Sequence, residues 1–478
     1  MQSRKIAGLF VLVSFASLAQ ARDGDYLTWF GTNGGEQIGF DPSLDNSTSF
    51  VSFTAVAIQP DGKLLVSASP DVAAMPPSDV NMGVLRLNPN GTRDTGFGTQ
   101  GQTIVSFNLG GDNKDVVSAV RLQANGRILL CGTAAGEPTT TGSDFAVARL
   151  LANGTPDTQF SADGKTTVGF DLGPSEGRDD MAVRCALQAD SKIVIAGQAA
   201  LDNTGVANRM AVARLNTDGS RDTGFNGTGT ATVDFGPAFQ NSLAFSVKAQ
   251  ADGRTLLIGR AADGGDSLTA KWAFARLDSS GHPDNTFGNG GIFTFDPGVP
   301  GYLAFEALDA VVLPDDSFIA VGVFALMPAL TNFDYGVFKL KPDGSLDTTF
   351  GSNGGQIIAF DLGGALSDAA VEVAQDRQGR FVIAGFSASS PIPVTTSVVR
   401  LLPDGQFDTS FGLGGKLSVS STAPPATDFG EQGTSVAIAP DDSIVLGSIA
   451  NHSSPSHLRA GLMRLVGDTI FGDGFDFE

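Results

Sequence analysis

Val116 to Leu122 and Arg127 to Cys131 are short runs in which β-branched and small apolar residues alternate with polar ones, joined by Gln123-Ala124-Asn125-Gly126. Period-two alternation predicts half-buried strands, and Asn-Gly supplies the positive φ that a tight hairpin demands. Thr103 to Phe107 before this hairpin and Phe145 to Leu150 after it add two further strands, with a Gly-rich and a variable loop between. The hairpin recurs at Gln59-Pro60-Asp61-Gly62, Gln250-Ala251-Asp252-Gly253 and Arg377-Gln378-Gly379, and with substituted turns at Asp190-Ser191, Asp315-Asp316 and Asp441-Asp442. No segment carries a helical period.

Each set of strands ends the same way. An Arg-Leu, once Lys-Leu, leads through a turn into Asp-x-x-Phe-Gly, with the Phe at 97, 160, 225, 287, 350, 411 and 471 and a degenerate opening copy at Phe30. The spacing is about 63 residues, and a fixed period of this size means one supersecondary unit repeated, each copy too small to bury its own apolar face. Four strands per unit predict an all-β fold, a seven-bladed β-propeller with four antiparallel strands per blade. A parallel β-helix fits less well, because its coils are much shorter and carry no hairpins. The chain opens on a lone strand, Glu36 to Phe40, and closes on Leu462 to Leu465. Pairing of these N- and C-terminal strands would close the ring and remove its free edges.

The string Lys341-Pro342-Asp343-Gly344-Ser345-Leu346-Asp347-Thr348-Thr349-Phe350-Gly351 resembles the delta-60 repeat. The resemblance covers nearly all of the chain beyond residue 21 and departs at Ser161 and Asn226, which replace the Gly after Phe, and at Leu27, which replaces the first Asp. It implies a bacterial, often exported protein thought to form a β-propeller, and it implies no activity.

Residues 1–21 read as a signal peptide: basic Arg4 and Lys5, apolar Ile6 to Leu18, and an Ala19-Gln20-Ala21 cleavage site. The domain plan is then a signal peptide at 1–21, a single propeller at 22–467 and a C-terminal tail with a degenerate motif at 468–478. The expected location is secreted or periplasmic, with no membrane span after cleavage and a monomeric state. Without Arg4 and Lys5 the net charge of −21 becomes −23, which repels phosphate backbones and excludes nucleic acid as a natural partner. Cys131 and Cys185 stand where neighbouring copies carry Ala196 and Val120. Buried free thiols are the expectation, since free Cys packs as a small hydrophobe; a bridge between neighbouring units is the alternative.

The repeated basic residue is Arg86, Arg149, Arg214, Arg276, Lys339, Arg400 or Arg464. In six copies an Asp follows eight positions on, at 94, 157, 222, 284, 347 and 408; in the last, Asp468 is only four on. The fixed separation predicts an ion pair that clips the turn, worth only ~0–1 kcal/mol if exposed. Asp-rich turns such as Asn216 to Asp222 raise calcium as a cofactor, but they lack the number of acidic ligands that a hard cation needs. Phe supplies 34 aromatics against three Tyr and two Trp, so the repeated rings suit packing between blades rather than a binding surface. Trp29 and Trp272 are single occurrences, and burial is expected of both.

No catalytic, cofactor-binding or metal residues are assigned. His282 lies in a turn, His452 and His457 flank Pro455 in a loop, and Arg178-Asp179-Asp180 is a weak cluster that other copies lack. No nucleophile elbow, zinc helix or phosphate loop appears. The expected function is a non-catalytic scaffold that binds a protein or other extracellular ligand through variable loops on one face. The alternative is a hydrolase or lyase acting at the central channel, which requires charged residues, each present in one blade, to converge there.

Overall fold

The computed structural model describes residues 23–40, 51–70, 79–110, 114–136, 142–170, 172, 179–202, 206–327, 332–360, 367–388, 394–421, 431–451 and 458–467. The signal segment, the tail from 468, Arg178, His452 and His457 lie outside them.

Among the described residues every regular element is a strand, and neighbouring strands pair antiparallel in groups of four. A lone strand, β1 (Gly35–Ile38), comes first. The first sheet is β2 (Val51–Ile58), β3 (Leu64–Pro70), β4 (Met82–Leu87) and β5 (Gln102–Val105). The second is β6 (Val116–Leu122), β7 (Ile128–Ala135), β8 (Ser143–Leu150) and β9 (Lys165–Val168). The third is β10 (Asp180–Leu187), β11 (Ile193–Ala200), β12 (Asn208–Leu215) and β13 (Thr230–Val233). The fourth is β14 (Asn241–Ala249), β15 (Thr255–Asp263), β16 (Asp266–Leu277) and β17 (Ile292–Phe295). The fifth is β18 (Tyr302–Val312), β19 (Phe318–Leu326), β20 (Phe333–Leu340) and β21 (Gly355–Ile358). The sixth is β22 (Ser367–Gln375), β23 (Phe381–Ala388), β24 (Thr395–Leu401) and β25 (Lys416–Val419). The last is β26 (Glu431–Ile438), β27 (Ile444–Asn451) and β28 (Leu458–Leu465), and its fourth member is β1, which pairs with β28 from Gly35–Met463 to Ile38–Ala460. Single parallel bridges, Asn208–Asn241 and Phe333–Ser367, link the third sheet to the fourth and the fifth to the sixth.

Burial follows position within the sheet. β7 is buried at every residue and β3 likewise, because the second strand is covered on both faces by neighbouring sheets. The fourth strand β5 is only partly covered. Each core belongs to two sheets at once: Phe145, Phe160 and Val147 of the second pack with Ile193, Ile195 and Ala213 of the third. The last and first sheets share a core in the same way, through Phe30, Ile38, Val445 and Leu462 against Val56, Val66 and Leu85. The repeated Phe residues are this inter-sheet packing, as their lack of a polar handle predicts. Trp272 is buried and donates its indole N–H to the Val323 carbonyl at 3.2 Å. Trp29 is not buried: half of it is exposed, beneath the Arg464 guanidinium.

The expectation of free thiols is overturned. Cys131 on β7 and Cys185 on β10 form a disulfide between the second and third sheets. Both do replace small core residues, but they do so on facing strands of adjacent sheets, which places the two sulfurs in reach of each other.

Candidate functional site

Where it is an arginine, the basic residue near the end of a third strand works between sheets as well as within its own. Arg214 Nε donates to Asp222 at 2.6 Å, its Nη1 donates to the Ser279 carbonyl of the next sheet at 2.6 Å, and its guanidinium lies 4.6 Å above the Phe225 ring. Arg86 repeats this with Asp94, the Ala152 carbonyl and Phe97, and Arg276 with Asp284, the Pro342 carbonyl and Phe287. Lys339 keeps only the ion pair, to Asp347 at 3.0 Å. These pairs are not exposed, contrary to the sequence reading: Arg214 is 5 % and Arg400 0 % accessible. They are desolvated joints, for which losing one partner costs far more than at a surface.

A second contact runs in parallel. Among the described residues the amide after each motif Phe donates to the neighbouring turn, as from Gly98 to Asn153 at 2.8 Å and from Gly288 to Asp343 at 2.9 Å. Ser161 and Asn226, which depart from glycine, make the same bond with φ of 49° and 50°, close to the 52° of Gly98. The Asp-rich turns serve backbone geometry. Asp218 accepts from the Ser220 amide and hydroxyl, while Asp222 pairs with Arg214 and Lys192, so the two carboxylates do not converge on one cation. His282 sits exposed in its turn, and the described acids of the Arg178 cluster bond backbone: Asp179 accepts from the Ser143 amide, Asp180 from that of Phe170.

The first strands β2, β6, β10, β14, β18, β22 and β26 contact one another in series, and β26 contacts β2. Each has a bulge at the same place, as between Ala182 and Arg184 in β10 or Ala307 and Asp309 in β18. Opposite it on the second strand stands Gly197, where an added Cβ would lie 1.9 Å from the Met181 carbonyl oxygen, so only hydrogen fits. The bulge realigns the residues that follow it. Just beyond it stand Ala55, Ala119, Arg184, Ser246, Asp309, Glu372 and Ser435, and two positions further on two sheets carry cations, Arg121 and Lys248.

Five charged side chains, one from each of five sheets, come together among these first strands. Lys248 Nζ lies 2.7 Å from Asp309, which also accepts from the Ser246 hydroxyl at 2.6 Å and the Val373 amide at 3.3 Å. Arg184 reaches Glu372, 188 positions away, at 3.2 Å, and the other Glu372 oxygen accepts from the Val436 amide at 2.9 Å. Arg121 Nε and Nη1 donate to the Cys185 and Val120 carbonyls, each at 2.9 Å. Burial would raise the pKa of Asp309, but Lys248, Arg184 and the Ser246 hydroxyl outweigh it and hold the carboxyl below its ordinary value. Sequence reading assigned none of these five. The usable signal was a lone charge, absent from the other copies, on the first strand just after the bulge.

Five segments, 59–97, 123–160, 188–225, 314–350 and 379–411, match a family described as "Domain of unknown function (DUF5122) beta-propeller". These matches, spread along the chain, support a β-propeller repeat fold. No curated protein matches the chain. Among solved structures, the polysaccharide lyase Uly1 is similar at 11% identity and a TM-score of 0.44, over 94% of the propeller and 98% of the lyase. The α-L-arabinofuranosidase Arb93A from Fusarium graminearum is similar at 10% identity and 0.40, over 93% and 97%. At these TM-scores the likenesses say nothing of what the propeller binds or cleaves.

Proposed function

We propose that this chain is an exported, non-catalytic binding scaffold: a closed seven-bladed propeller that takes a protein or other extracellular ligand on the face carrying its variable connections. The observation that carries the reading is the contrast between the two faces. The turns that follow the third strands repeat the same clip from sheet to sheet. The connections between second and third strands range from two residues, between β15 and β16, to eleven, between β3 and β4. A rigid frame with divergent loops on one side is the usual layout of a binding site. Closure of the ring is supported by the β1–β28 pairing and by the core shared between the last and first sheets. Export is supported by the pattern of residues 1–21 and by the Cys131–Cys185 disulfide, a bond typical of oxidising compartments.

The test replaces residues 71–81, 137–142 and 389–394 by the two-residue Gly264-Gly265 turn. Capture of partners from the native secretome should be lost while the melting temperature holds. Capture that survives all three replacements removes the loop face from consideration.

A second reading, a hydrolase or lyase working at the channel, draws on the five converging charges. Its weakness is that Asp309 and Glu372 are each already held in an ion pair with a cation of this chain. Asp309→Asn and Glu372→Gln, assayed on a polysaccharide panel against the unaltered protein, decide it.

A further inference from the structure

We propose that the central channel holds one small oxyanion, a carboxylate or an inorganic anion such as phosphate, against the guanidinium of Arg121. The proposal is independent of the loop-face reading. It starts from a count of charge: among the described residues at the axis three cations, Arg121, Arg184 and Lys248, meet two anions, Asp309 and Glu372. Lys248 takes Asp309 and Arg184 takes Glu372, which leaves Arg121 without a carboxylate of its own.

The acceptors of Arg121 are backbone carbonyls, which orient it without neutralising it. Arginine does not shed its proton in a protein, so the charge stays. A buried cation without a counter-charge is costly, and the cost falls when an anion fills the gap. Burial first, and the Arg184 guanidinium next, push Arg121 below its ordinary pKa, and Glu372 and Asp309 restore only part. Two of its five N–H donors reach the Cys185 and Val120 carbonyls. The remaining fork has the planar, two-pronged geometry that matches an oxyanion. With a chain charge of −21, the outer surface repels anions, and saturable uptake reports this site rather than general adsorption.

Isothermal titration of the purified chain with sodium acetate and, separately, sodium phosphate at fixed ionic strength and neutral pH tests it. One saturable site is expected for at least one probe, weakened about tenfold or more in R121Q. Acetate alone marks a ligand carboxylate and phosphate alone an inorganic oxyanion; either supports the site. No saturable binding of either probe, or equal affinity in R121Q, overturns it. Should R121Q fail to fold, R121K keeps the charge but loses the fork: weakened binding then supports the proposal and unchanged binding overturns it.

Discussion

Arg464, on the last strand of the chain, donates its Nη1 hydrogen to the carbonyl of Pro89 at 2.9 Å, across 375 positions of sequence. This is the same reach that Arg86 makes to Ala152 and Arg214 to Ser279. The turn that completes it comes from the other end of the chain. The Leu27 amide donates to the Arg464 carbonyl at 2.9 Å, as the Asp94 amide does to that of Arg86, and the Gly31 amide donates to Asn90. Leu27 brings no carboxylate, so Arg464 pairs instead with Asp441 at 2.8 Å. Asp468, which follows Arg464 in the sequence, lies outside the described residues, and the opening copy at Phe30 is a working turn of the last sheet.

Phe30→Ala should therefore cost as much as Phe225→Ala, about 3–5 kcal/mol, since both rings are fully buried between sheets. Equilibrium urea unfolding of the two variants measures this. A loss under about 1 kcal/mol for Phe30→Ala alone would show the opening copy to be spare.

The disulfide closes a loop with a sequence separation of 54. Constraining an unfolded loop of that size contributes about 4 kcal/mol in the chain-entropy model. Thiol titration of the denatured protein should find no free thiol before reduction and two after, and Cys131→Ser with Cys185→Ser should lower the denaturant midpoint. Free thiols in the unreduced protein would refute the bridge.

Arg276→Ala removes a buried ion pair to Asp284 and the bond to the next sheet, and should cost about 3–5 kcal/mol. Arg276→Lys should cost less, because Lys339 already occupies the equivalent position and holds Asp347 by the pair alone. Thermal unfolding of both variants gives the order. If the lysine variant is no better than the alanine one, the inter-sheet bond outweighs the pair.

Acid should unfold the protein through these same turns. Burial alone would raise Asp284, but the Thr286 hydroxyl and amide and the Arg276 guanidinium lower it from 3.8 to about 2. The Thr349 hydroxyl and then the Lys339 ammonium, against burial, lower Asp347 from 3.8 to about 2. A depressed carboxyl contributes stability that is present above its unfolded pKa and is lost as pH falls through its folded one. Denaturant midpoints should fall between about pH 4 and 2, less steeply for Asp347→Asn. An equal slope in that variant would exclude Asp347 as a source.

Strands and their order were legible because alternation and turn chemistry are local. Val116 to Leu122 is a strand over the residues that its pattern marks, and the hairpins stand where Asn-Gly and Asp-Gly predict them. Between Arg260 and Trp272 β15 and β16 continue to a two-residue turn at Gly264-Gly265, where the exposed polar strand ends carry no alternating signal. The charges gathered on the first strands were not legible, because Arg184 and Glu372 are 188 positions apart and meet only in the folded chain.

By itself the sequence determined the repeating strand unit and the buried faces, for these depend on periods of two residues and of about 63. Only the tertiary structure decided which partners meet across repeats: Cys131 with Cys185, Arg464 with Asp441, and Arg121 with the Cys185 carbonyl. The reason is physical. A near-identical motif in every copy fixes what each residue can bond, while the partner it finds depends on how neighbouring sheets are set against one another.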